Sequence, residues 1–79
     1  MAQGAYLLIS VQAGTELAVQ SKLHQMECLK HSGVVTGMYD IICYVEDENL
    51  ETLKQDIYKI RKTDFITSTI TCFAFNIGS

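Results

Sequence analysis

The strongest constraint on the fold of this chain is that its strand-like segments are apolar on both faces. Residues 5–11, AYLLISV, are a nearly continuous apolar run, and residues 40–46, DIICYVE, contain another. An antiparallel sheet that packs helices on only one face alternates apolar and polar residues, because its other face meets water. Neither segment alternates in this way. We therefore expect both faces of the sheet to be buried.

The periodicity along the chain predicts six elements in the order β-α-β-β-α-β. The predicted strands are residues 5–11, 28–36, 40–46 and 66–75, and the predicted helices are residues 15–27 and the segment from Asp47 or Asn49 to about Arg61. Thr15 is the expected N-cap of the first helix, whereas Asp47 and Asn49 compete to cap the second. The second and third strands flank a short loop, so we expect them to form a hairpin.

This order matches the ferredoxin-like α+β plan in a single domain over residues 1–79, with a four-stranded antiparallel sheet and two helices on one face. A second copy that packs sheet against sheet would cover the remaining face and complete a dimeric α/β barrel. The size of the chain also favours self-association, since 79 residues that are 48% hydrophobic are more apolar than a small monomer requires.

Composition excludes several classes of protein. The longest apolar runs have five residues or fewer, whereas a helix that spans a membrane needs about 18. Nine acidic residues outnumber six basic ones and leave a net charge of −3, so the chain lacks the positive field that direct nucleic-acid binding requires. The N-terminus has no cationic segment typical of a secretory signal, and three widely spaced cysteines do not form a disulfide framework. We expect a cytoplasmic protein with reduced thiols.

The loop at residues 36–40, Thr-Gly-Met-Tyr-Asp, is the first candidate binding site. Gly37 can adopt positive φ and lets a ligand approach the backbone, while Asp40 provides a carboxylate beside exposed N–H groups. A free amino acid needs this combination, because its ammonium seeks a carboxylate and its carboxylate seeks N–H or hydroxyl donors. The competing interpretation is that both residues only form the turn.

The last strand carries a second candidate, the alternating residues Thr67, Thr69 and Thr71. A period of two places their three hydroxyls on one face of a strand. The competing interpretation is the high β propensity of threonine. The interpretation of these threonines as a binding site is stronger because they occur together with the glycine-containing loop.

The two motifs together resemble the leucine-responsive regulator family (Lrp/AsnC), specifically its C-terminal effector domain, also called the RAM domain. The loop matches the family's Gly-x-x-Asp motif through Gly37 and Asp40, and the last strand matches its Thr-x-Thr motif through Thr69 and Thr71. The resemblance covers essentially residues 5–77. It implies a βαββαβ domain that dimerises through its sheets and assembles into octameric or decameric rings, with free amino acids bound between dimers.

In these rings the glycine loop of one subunit meets the last strand of a neighbour. The resemblance therefore implies eight ligand-binding residues: Val35, Thr36, Gly37, Tyr39, Asp40, Thr67, Thr69 and Thr71. Full-length members of the family also have an N-terminal helix-turn-helix, for which this chain has no room. The resemblance thus predicts a non-enzymatic effector module of transcriptional regulation, without a cofactor or metal, which senses amino acids or joins full-length relatives in mixed assemblies.

Two alternatives from other classes share this strand order. A dimeric α/β-barrel enzyme would need a base, and His31 is the only histidine placed on a predicted strand for that role. An ACT-type regulatory domain also binds amino acids, but such domains pair side by side rather than face to face.

Two further clusters have simpler explanations than a metal site. The spacing of His24, Cys28 and His31 suits a metal only if one helix runs through all three, and the predicted helix ends near Cys28. The acidic residues at the start of the second helix favour its macrodipole, and no calcium-loop pattern follows them. These acidic residues are Glu46, Asp47, Glu48 and Glu51.

Overall fold

The computed structural model describes residues 3–74 and confirms the predicted order of elements. The elements are β1 (Gln3–Val11), α1 (Glu16–Leu23), β2 (Leu29–Val34), β3 (Ile41–Asp47), α2 (Leu50–Arg61) and β4 (Ile66–Ala74). The strands form one antiparallel sheet in the order β2-β3-β1-β4. This is the ferredoxin-like α+β fold, with the hairpin between β2 and β3 as predicted.

The core lies between the helices and one face of the sheet. Alternate residues of β1, namely Ala5, Leu7 and Ile9, are fully buried against the helices. Leu23 on α1 and Leu53 on α2 are also fully buried, as the helical spacing of the apolar residues requires. Among the helices of residues 3–74, none is long and apolar enough to cross a membrane.

The opposite face of the sheet, which we call the open face, is also apolar. Tyr6, Ile42 and Ile70 lie on it and are 44%, 38% and 45% exposed. Tyr44 is buried on this face, where its ring packs against Tyr6 with the centroids 4.7 Å apart. The ring also lies over Gly4, because a Cβ on that glycine would come within 2.7 Å of the Tyr44 Cζ. A large apolar surface therefore remains exposed in the single chain.

The first helix is shorter than the sequence predicts. It ends at Leu23 rather than at residue 27, because the N–H groups of Gln25 and Met26 turn back to carbonyls three residues earlier. Thr15 occupies the N-cap position, but its hydroxyl donates to the carbonyl of Gln12 at 2.6 Å and does not cap the helix. The short helix leaves room for the turn that leads into β2.

The second helix follows the prediction closely. Asn49 is the N-cap, and its Oδ1 accepts a hydrogen bond from the Thr52 N–H at 2.9 Å. The other candidate cap, Asp47, is the last residue of β3, where its Oδ1 accepts from the Glu48 N–H at 2.7 Å. The final strand agrees with residues 66–75 as far as Ala74, and residue 75 lies outside the described residues.

All three cysteines are free. Cys28 and Cys43 are buried in the core, and burial raises the pKa of each thiol to about 11. Both thiols are therefore protonated at neutral pH and pack as small apolar groups. Cys72 is exposed and pairs with Tyr6 across the sheet, so it lies on the open face.

Candidate functional site

The loop between β2 and β3, residues 35–40, is fastened to the end of β1 and is called the glycine loop below. The Val35 N–H donates to the Asp40 carbonyl at 2.9 Å, which closes the loop. The Asp40 N–H donates to the carbonyl of Ile9 at 2.9 Å, and Asp40 Oδ2 accepts from the Val11 N–H at 2.8 Å. The Asp40 carboxylate therefore takes the place of a backbone carbonyl where β1 and β3 diverge.

The same contact gives Asp40 a fixed position. A carboxylate has about four lone-pair positions on its two oxygens, so one bond to Val11 leaves acceptor capacity for a ligand. The side chain is only partly buried, which leaves it accessible. Asp40 is thus both a structural part of the loop and an anchored negative charge.

Gly37 determines the backbone path of the glycine loop. Its φ of 118° lies in the region that favours glycine, and a Cβ added there would contact nothing within 4 Å. Glycine is therefore required here for its backbone conformation and not for space. Within residues 3–74, the N–H groups of residues 36–39 donate no backbone hydrogen bonds, so the loop presents free donors. Met38 at the tip is 88% exposed.

The threonines of β4 divide into two groups. Thr69 pairs with Ile9 and Thr71 pairs with Leu7, so both lie on the helix-facing side of the sheet. Thr67 falls where the register between β1 and β4 shifts, and its hydroxyl donates to the Ser10 carbonyl at 3.1 Å. The period of two expected for all three hydroxyls is therefore interrupted by a bulge at Thr67.

The glycine loop and the start of β4 lie at the same end of the sheet, but they do not contact each other. Asp40 directly precedes Ile41, which pairs with Ile9 at the end of the β1–β3 ladder, and β1 lies between β3 and β4. Two inter-strand spacings separate Asp40 from β4 by about 10 Å. The cleft lined by Thr67 and Thr69 includes no residue of the glycine loop. The structure thus brings the predicted loop residues together and leaves the threonines as a separate group.

A groove between α2 and β4 holds a residue that the sequence analysis did not assign to the site. One cleft of about 270 Å³ is lined by Arg61, Ile66, Thr67, Ser68 and Thr69. A second cleft of about 260 Å³ is lined by Lys54, Ile57, Tyr58, Arg61, Thr71 and Phe73. Arg61 lines both. In the sequence, Arg61 is recognisable only as one of the basic residues at the end of the second helix, where positive charge complements the helix dipole. Its position in a cleft with the threonines depends on how α2 packs on the sheet.

An acidic corner lies at the other end of the sheet. A cleft of about 260 Å³ there is lined by acidic residues and by Cys28 and Lys30. Partial burial, together with a hydrogen bond and charge repulsion from Asp47, raises the pKa of Asp56 to about 6. The hydrogen bond from Asp56 lowers the pKa of Asp47. Asp56 therefore retains its proton to a higher pH than an exposed aspartate does.

The histidines and cysteine with metal-like spacing do not converge. His24 Nε2 lies 2.7 Å from the Ser32 hydroxyl, Cys28 is buried in the core, and His31 lies on the open face beside Tyr44. Within the described part of the chain, no three His, Cys, Asp or Glu side chains are placed to hold a metal. His31 lines a cleft of about 230 Å³ whose other residues include Tyr6 and Ile42.

Comparison with known proteins gives close structural relatives. No protein-family model matches the sequence, and a search of curated proteins finds no match. Among solved structures, FFRP-DM1 is 40% identical over 92% of this chain and 99% of its own length, with a TM-score of 0.89. The hypothetical protein PHS023 from Pyrococcus horikoshii is 41% identical over 95% of this chain and 90% of its own, with a TM-score of 0.87.

AsnC from Escherichia coli is a more distant match. It is 25% identical over 94% of this chain, which spans 51% of AsnC, and the TM-score is 0.85. The transcriptional regulator NMB0573 from Neisseria meningitidis, solved with L-Met, shares the fold at 10% identity with a TM-score of 0.81; the match covers 98% of this chain and 53% of that protein. Because identity reaches 40% or more over nearly the whole length of two relatives, the chain belongs to the Lrp/AsnC family of regulators, which includes the FFRP proteins.

Proposed function

We propose that this chain is an amino-acid-binding module of transcriptional regulation that acts without catalysis. The observation that carries the proposal is the glycine loop, which presents free N–H groups beside the anchored carboxylate of Asp40. The N–H groups would bind the α-carboxylate of an amino acid, and Asp40 would bind its ammonium group. The NMB0573 complex with L-Met supports this assignment, because that regulator shares the fold.

The ligand would occupy a cleft between subunits. A contact across two copies explains why the glycine loop and the β4 threonines are apart in one chain. The proposed contacts are Val35, Thr36, Gly37, Tyr39 and Asp40 from one copy and Thr67, Thr69 and Thr71 from a neighbour. In this arrangement, binding and assembly are coupled, since ligand stabilises the assembled state by mass action.

The open face is the proposed dimer interface. Tyr6, Ile42 and Ile70 expose apolar surface there, and packing two such sheets face to face would bury it in a shared core. Dimers would then assemble into octameric or decameric rings that expose the glycine loops to neighbouring β4 strands. Assembly with full-length Lrp/AsnC regulators is the proposed route to DNA, and a location in the cytoplasm stays a prediction.

The test is binding of the twenty amino acids, measured by thermal unfolding and calorimetry on wild type and an Asp40→Asn variant. The amide oxygen still accepts from the Val11 N–H, so the variant removes charge while it keeps the loop contact. At about 100 times its dissociation constant, a ligand stabilises the protein by roughly 2.7 kcal/mol. We expect stabilisation of wild type by one or a few amino acids and none of the variant.

The matched control is Glu48→Gln, which removes the same charge at the acidic corner, at the opposite end of the sheet. It should bind like wild type. Unchanged affinity in Asp40→Asn would refute the site, and the absence of binding by wild type would refute the sensor function.

The alternative function, a dimeric α/β-barrel enzyme, rests on a single residue, His31. His31 lines an open-face cleft with Tyr6, Ile42 and Tyr44, which are largely apolar neighbours. That face is better suited to burial by a second copy than to a reaction that needs polar groups around a base. Replacing His31 without loss of any detected turnover would dismiss this alternative. An ACT-type arrangement would instead be recognised by side-by-side pairing of the sheets.

A further inference from the structure

The groove between α2 and β4 concentrates positive charge in an otherwise acidic chain. Four of the six basic residues lie within residues 54–62, although the net charge of the chain is −3. Two of them, Lys54 and Arg61, line the groove, and neither of its two clefts has an acidic lining residue. The groove therefore favours an anionic ligand.

The groove also supplies the neutral donors that an anion needs. Arg61 and the hydroxyl-bearing residues Ser68 and Thr69 line the same cleft. Thr67 lines it too, but its hydroxyl already donates to the Ser10 carbonyl. A guanidinium with several N–H donors binds a carboxylate through paired hydrogen bonds, and neighbouring hydroxyls complete the remaining lone pairs. This part of β4 is the part that carries two of the proposed ligand contacts.

The charged and hydrogen-bonding groups of the assembled site indicate the class of its ligand; this step rests on the proposed function. The glycine loop offers one anion-binding element, its free N–H groups, and one cation-binding element, Asp40. These two elements match the α-carboxylate and the ammonium of any amino acid. Arg61 adds a second anion-binding element when the loop of a neighbouring copy faces β4. A ligand that satisfies all three elements has one ammonium and two carboxylates.

We propose that Arg61, together with the Thr69 hydroxyl, binds the side-chain carboxylate of a dicarboxylic amino acid. The neighbouring copy contributes its glycine loop and Asp40 to the same ligand. The assembled site thus discriminates aspartate and glutamate from their amides, since an amide has no charge and only one acceptor oxygen and cannot form the two-bond ion pair with the guanidinium. Arg61 is then the residue that determines specificity.

The experiment compares Glu with Gln, and Asp with Asn, as ligands of the assembled wild-type protein and of Arg61→Gln, by calorimetry. Wild type should bind at least one acid roughly tenfold more tightly than its amide, the factor expected for a hydrogen bond to a charged group. Arg61→Gln should bring the two affinities together. Lys59→Gln is the matched control, because it removes the same charge from the same helix outside both clefts, and it should keep the preference.

The outcomes separate the two proposals. Binding of neutral amino acids with no preference for the acids would overturn the role of Arg61 and leave the sensor function intact. A preference for acids that survives in Arg61→Gln would also overturn it. If no amino acid binds the wild-type protein, the sensor function fails and this inference fails with it. Circular dichroism of each variant establishes that the exposed substitutions leave the fold unchanged.

Discussion

Replacing Asp40 with alanine should cost stability as well as binding, and the structure gives the magnitude. Asp40 Oδ2 accepts the Val11 N–H at 2.8 Å in a partly buried position, 29 residues away in the chain. Alanine leaves that N–H without its charged acceptor, which costs about 2 kcal/mol. For a domain of this size, that loss lowers the midpoint of thermal unfolding by about 8–16 °C. Asp40→Asn keeps an acceptor and should lose less than about 1 kcal/mol.

The assay is urea and thermal unfolding of both variants and wild type at one protein concentration, because the midpoint of an oligomer depends on concentration. Hydrogen exchange of the Val11 amide gives an independent measure, since the loss of its acceptor should accelerate exchange locally. Equal stability of Asp40→Ala and wild type would show that the contact with Val11 does not hold the loop. Equal losses in Asp40→Ala and Asp40→Asn would show that charge, and not the hydrogen bond, is what stabilises it.

Three further predictions concern other parts of the chain. The pKa of Asp56 is raised from 3.8 to about 6, so the free energy of unfolding of the wild type should fall as the pH rises between these values. Asp56→Asn should remove this pH dependence, and its urea midpoint at about pH 7 should be higher than that of the wild type. Gly37→Ala should lower the free energy of unfolding by about 1 kcal/mol, because its φ is 118°. Gly33→Ala, which meets nothing within 4 Å and needs no positive φ, is the control and should lose less. Ile70→Lys should convert the assembly to monomers in light scattering, whereas Leu17→Lys, at a residue that is 74% exposed on α1, should not; an intact assembly in Ile70→Lys would contradict the proposed interface.

Much of the fold was predictable because its signals are local. The second helix is predicted by the 3-4-3 spacing of its apolar residues, Leu50, Leu53, Ile57 and Ile60. The last three are buried in the core, whereas Leu50, at the start of the helix, is 41% exposed. The first helix is less regular, so its predicted end was wrong by four residues, from 27 to Leu23. No periodic pattern marks that end, because three-residue turns after Leu23 also return apolar residues such as Met26 to the core.

The candidate site was predictable only in part. Gly37 and Asp40 mark the loop by their residue types, but the bond from Asp40 to Val11 depends on how β1 and β3 pair. The bulge at Thr67 likewise depends on the register between β1 and β4. Arg61 carries no motif in the sequence, and it joins the threonines because α2 packs beside β4.

The sequence by itself determined the order of the elements, the helical spacing that buries Leu53, Ile57 and Ile60, and the presence of a glycine at a turn that requires positive φ. These properties follow from periodicity, capping and the backbone freedom of single residues, all of which act over a few positions. Only the tertiary structure decided which carboxylate anchors the loop and which cation faces the β4 threonines. Those contacts join residues far apart in the chain, and strand register and helix packing set the distances between them.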